Sequence, residues 1–142
     1  MQPHQLIRRA GLLAALLLCA ARADAAPPWI AGVWFGQGQP NDKSEMWLAH
    51  MGADGSFQAQ FRACRQGKAF DSFQTGSWSL EGDSETIRIA SVDGYPFFRV
   101  DSYRILAHDG DRQSYRYVPT GFVYNSRRVS DAFAMPPCDL TS

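Results

Sequence analysis

The chain lacks most of the features that announce an activity. Its 142 residues carry 14 Lys plus Arg against 14 Asp plus Glu. There is no basic surplus of the kind that neutralises phosphates in a nucleic-acid complex. It has no Gly-x-Ser-x-Gly elbow, no Gly-rich phosphate loop and no His-Glu-x-x-His. That removes the usual signatures of serine hydrolases, nucleotide-binding enzymes and zinc peptidases. His50 and His108 stand apart from each other and fit no metal-ligand spacing with the cysteines. Asp109-Gly110-Asp111 offers carboxylates, but the rest of an EF-hand loop is missing, so it reads as a hairpin turn. No catalytic residue, metal or cofactor is expected, and the protein is expected not to be an enzyme. Long apolar runs are missing too. The longest, Ala10 to Ala20, is far short of the roughly twenty residues that cross a bilayer.

That short run has a different reading. Arg8 and Arg9 precede it, and Ala23-Asp24-Ala25 follows it with the small-x-small pattern of a signal-peptidase site. Residues 1–25 are therefore expected to be a secretory signal peptide, cleaved before Ala26, with a periplasmic or secreted destination. The remaining 117 residues carry 11 basic and 13 acidic side chains, a net charge of −2. They allow one domain, with no membrane span after cleavage. An apolar share of 45% with 13% aromatic is enough to build a core, which excludes disorder. Cysteine is scarce: Cys19 leaves with the signal, so Cys64 and Cys138 remain. In an oxidising compartment the pair reads as one disulfide, with two buried free thiols as the alternative.

From Trp29 onward no helical period is sustained and no repeat is found. Short β-rich runs are cut instead by turn residues such as Ala53-Asp54-Gly55, Asp93-Gly94 and Pro119-Thr120-Gly121. Asp-Gly suits two-residue hairpin loops because both residues tolerate positive φ. Seven breaks predict eight strands, at about 29–36, 45–52, 56–64, 73–80, 84–92, 95–108, 112–118 and 122–129. Hairpin-length connections make sequence neighbours spatial neighbours. The fold class is therefore all-β, an eight-stranded antiparallel up-and-down barrel. Alternation assigns faces in the third strand: Phe57, Ala59, Phe61 and Ala63 point one way, and Cys64 falls on the opposite, outer side. A helical turn is expected over 130–135, with Val129 and Phe133 as its apolar contacts, ended by Pro136-Pro137.

Gly32-Val33-Trp34 stands at the entry to the first strand, Arg127 and Arg128 at the end of the last, and Gly76-Ser77-Trp78 further in. This combination resembles the lipocalins and their calycin relatives. The resemblance implies that Trp34 sits at the closed end of the barrel under a cation from Arg127 or Arg128, a contact worth about 0.5–1 kcal/mol when exposed. It also implies a C-terminal tail tied to the barrel wall by Cys64–Cys138.

Eighteen aromatic residues are a heavy load for such a chain. An eight-stranded barrel is either filled by its side chains or just wide enough for one small ligand. If hollow, its candidate lining is Trp34, Phe57, Phe61, Trp78, Tyr103, Tyr115 and Tyr117, apolar with hydroxyls to orient a guest. Tyr95-Pro96-Phe97-Phe98 is expected as an exposed patch at the mouth. Two functions follow. The first is a carrier of a small apolar or aromatic molecule. The alternative is a protein-binding module, such as an inhibitor of an exported hydrolase, using the stiff segment Ala26-Pro27-Pro28-Trp29.

Overall fold

The computed structural model describes residues 28–38 and 42–139. The expected signal peptide, its cleavage point and Ala26-Pro27 lie outside the described residues. Eight strands are present: β1 (Gly32–Gln37), β2 (Glu45–Met51), β3 (Ser56–Arg65), β4 (Lys68–Glu81), β5 (Ser84–Val92), β6 (Tyr95–His108), β7 (Arg112–Tyr117) and β8 (Val123–Val129). Each pairs antiparallel with its sequence neighbour. β8 returns to β1 through Val33↔Val129, Trp34↔Arg128 and Phe35↔Arg127, closing the barrel. Closure removes the free edges that would otherwise invite pairing with another chain.

β1 starts at Gly32 rather than 29, because the Ala31 N–H donates to the Pro28 carbonyl at 2.9 Å in a turn, and two larger departures from the sequence expectation also have local reasons. β4 starts at Lys68 rather than near 73, because Gln66 and Gly67 alone make the turn. Both have positive φ (52° and 73°), so Arg65 already pairs with Lys68. Asp93-Gly94 turns β5 into β6 the same way. At the other end of the chain, the helical turn expected over 130–135 is not formed. One turn closes where the Phe133 N–H donates to the Ser130 carbonyl at 3.0 Å, and the chain then runs on without regular structure, as Pro136-Pro137 demands.

The alternation of each strand separates two apolar clusters. Inside, Ile30, Trp34, Met51, Phe57, Ile87 and Ile89 pack together. Outside β1–β3 lies a second cluster of Val33, Phe35, Met46, Leu48 and Cys64, covered by Phe133 and Met135 of the tail. β1 and β2 are therefore buried on both faces. The Cys64–Cys138 disulfide fixes that tail, with Cα atoms 5.5 Å apart across a separation of 74 residues. Arg62 adds a polar clasp. It grips Asp71 with two hydrogen bonds of 2.7 Å and donates to the Pro136 carbonyl at 2.9 Å.

Candidate functional site: a cavity in the barrel

One end of the barrel is shut. Trp34 is almost fully buried there, and its indole N–H donates to the Ile30 carbonyl at 2.8 Å. The Arg128 guanidinium lies 4.4 Å from the centre of its ring and donates to the Ala31 carbonyl at 2.7 Å. Gly32 has to be glycine. Its φ is +135°, and a Cβ would collide with the Arg128 guanidinium. Of the two arginines expected to supply that cation, Arg128 does so and Arg127 does not. Successive residues on a strand face opposite sides. Arg127 therefore lies outside, 5.3 Å from the rings of Phe35 and Phe133. Trp29 stacks on His108 with ring centres 3.8 Å apart and meets Trp34 edge-on. Of the segment expected to reach a partner, Trp29 is thus packed on the barrel.

Above Trp34 the barrel is hollow, with a cavity of about 300 Å³. Trp34, Phe57, Phe61, Tyr103, Tyr115 and Tyr117 line it. Trp78 does not. It belongs to the core beside the cavity, where its indole N–H donates to the Gly52 carbonyl at 2.8 Å. The tyrosines form a continuous aromatic wall. Tyr103 meets Tyr117 at 5.2 Å and Tyr115 at 5.6 Å, Tyr115 meets Tyr124 at 5.9 Å, and Tyr124 meets Trp47 at 5.8 Å. At the open end β6 begins with Tyr95, Phe97 and Phe98, all exposed.

The cavity also has a polar side, made by Glu85, Arg99, Asp101, Gln113 and Ser126. Asp101 is engaged: Arg99 Nη2 stands 2.9 Å from its Oδ2, and the Tyr117 hydroxyl donates to its Oδ1 at 3.1 Å. Gln113 Oε1 and Ser126 Oγ are buried with no hydrogen-bond partner among the described residues. Glu85 is 8% exposed, and burial pushes its carboxyl up to about 7. Burial also raises the Tyr103 and Tyr115 hydroxyls well above the ordinary phenol value, helped by the nearby Glu85 charge. A buried polar group without a partner costs about 1–3 kcal/mol. Two such groups, with the buried Glu85 carboxyl, border one void.

These polar residues were missed in the sequence, yet their signal was there. Glu85-x-Ile87-x-Ile89, Asp101-x-Tyr103-x-Ile105 and Gln113-x-Tyr115-x-Tyr117 each put a polar residue on the same face as apolar ones. A polar side chain in phase with the inner face is the informative exception in a strand.

No protein-family description, no curated protein and no solved structure matches this chain.

Proposed function

We propose that this protein is an exported, lipocalin-like barrel that holds one small ring-bearing molecule and does no chemistry on it. One observation carries the reading. Gln113 Oε1 and Ser126 Oγ, from two residues that line a cavity of about 300 Å³, are buried without partners among the described residues. That volume is at the small end for ligand pockets, so the guest is one or two rings rather than a lipid. The aromatic wall supplies stacking and dispersion, and the unpartnered polar atoms set orientation. A wholly apolar guest would leave those atoms unpaired. The guest therefore carries hydrogen-bonding groups, which narrows the broader expectation of an apolar ligand. Support for the lipocalin-like reading comes from Gly32-x-Trp34 under the Arg128 cation and from the disulfide-held tail. Export is supported by the pattern of residues 1–25 and is compatible with the disulfide.

The test is native mass spectrometry on protein recovered from the exported fraction of its own cell, followed by a denatured spectrum. A single small mass, present natively and lost on denaturation, supports the reading. A bare chain in both spectra counts against it.

A further inference from the structure

The charge around the cavity is not balanced. Its charged residues are two carboxylates, Glu85 and Asp101, and one guanidinium, Arg99. Arg99 is taken up by Asp101, with Nε at 3.0 Å and Nη2 at 2.9 Å from Oδ2. Glu85 has no hydrogen bond or ion pair among the described residues, and no lysine or histidine lines the cavity to supply one. Ionised, it would leave one uncompensated negative charge inside the barrel. Gln113 Oε1 accepts, and Ser126 Oγ both accepts and donates.

The placement of these groups adds a second constraint. Glu85 pairs in register with Tyr103, and Tyr103 with Tyr117. Gln113 pairs with Ser126, two inward-facing rows along β7 from Tyr117. Between those levels stands the Tyr115–Tyr124 pair. A carboxyl and a neutral hydrogen-bonding pair are thus separated by a level of stacked rings.

Resting on the carrier reading above, we infer that the guest is an arylalkylamine, a ring bearing an aliphatic amine. Its ammonium group meets Glu85, its ring lies against the Tyr115–Tyr124 wall, and a hydroxyl or ring N–H at its far end donates to Gln113 and Ser126. The ammonium gains a counter-ion and an electron-rich aromatic surround, both strongest in a site shielded from water. A carboxylate or phosphate guest meets no free cation among the residues lining the cavity and is repelled wherever Glu85 is ionised.

Proton release gives a readout that a structural role for Glu85 would not move. Near pH 6 the Glu85 carboxyl is mostly protonated, since burial raises it to about 7. An ammonium drives it to ionise and a proton leaves. Other groups facing Glu85 are Asp101, Arg99 and Tyr103 on β6, Tyr115 and Tyr117 on β7, and Tyr124 on β8. β4 presents Trp78 and Leu80, and Arg104 and Arg116, exposed on the outer face, border a second pocket that Glu85 and Tyr103 also line. The tyrosine hydroxyls are raised, so they stay neutral across this range.

The experiment is calorimetric titration of the mature protein with tyramine, 4-ethylphenol and 3-(4-hydroxyphenyl)propionate, at pH 6 and pH 8. Tyramine is expected to bind at least about tenfold tighter than 4-ethylphenol and to tighten from pH 6 to pH 8. Its apparent enthalpy is expected to follow the buffer's ionisation enthalpy at pH 6 but not at pH 8. Glu85→Gln should remove both the tenfold preference and the proton release. Equal binding of tyramine and 4-ethylphenol, or tighter binding of the propionate, overturns the inference and leaves the carrier reading standing. Binding of none of the three overturns the inference as well. The native mass spectrum then decides the carrier reading by itself.

Discussion

The Arg128 guanidinium lies 4.4 Å from the centre of the Trp34 ring and at the same time donates to the carbonyls of Trp29, Ala31 and Gly110, at 2.5, 2.7 and 2.7 Å. One side chain from β8 thus ties together the entry to β1, the β6–β7 turn and the shut floor of the barrel. Losing it leaves carbonyls at that floor without their donor.

Arg128→Ala is expected to cost about 2–3 kcal/mol, because charge-assisted hydrogen bonds are lost along with the ring contact. Arg127→Ala removes only an exposed cation over Phe35 and Phe133 and should cost no more than about 1 kcal/mol. Trp34→Ala empties a core position and should cost about 3–5 kcal/mol. Urea melts of the three variants check the order, and equal losses for the two arginines would contradict this account of the floor.

Removing the tail's anchor should weaken the barrel without changing its topology. Cys64→Ala with Cys138→Ala opens a long loop and is expected to lower stability by about 4 kcal/mol. Far-UV circular dichroism should still report the β-barrel below the transition. Loss of the barrel signal in native buffer would mean that the tail is needed to form the fold.

The strand plan was legible because turn chemistry and alternation are local. Asp93-Gly94 needs only its own backbone to reverse the chain, and Ser84–Val92 follows as expected. The floor was legible in part: Gly32-x-Trp34 pointed to it, but choosing Arg128 over Arg127 needed the phase of β8 relative to β1. Both apolar faces of β1 and β2 were opaque because the covering tail is remote in sequence. The polar side of the cavity had its signal in the phase of Glu85 and Gln113. Whether the barrel was hollow depended on summed side-chain volumes from all eight strands, which no local pattern carries.

Glu85 should give stability a particular pH dependence. A carboxyl whose folded pKa exceeds its unfolded value holds more protons when folded, so stability falls as pH rises between the two values. The window runs from about 4.3 in the unfolded chain up to about 7. Glu85→Gln should match the wild type near pH 4 and exceed it at pH 8, by something on the order of 3 kcal/mol. Urea melts of both proteins across that range check this. A difference that stays constant with pH would contradict a buried, unpaired Glu85.

The central claim is that Gln113 and Ser126 serve a guest rather than the fold, and the double variant Gln113→Leu, Ser126→Ala tests it most directly. Its stability without ligand and its native mass spectrum would be measured beside the wild type. If the claim holds, the variant is more stable by about 1–2 kcal/mol, because two buried groups without partners are gone. It also loses the small bound mass that the wild type carries. A less stable variant that still retains the bound mass would contradict the claim, placing these residues in the service of the barrel itself.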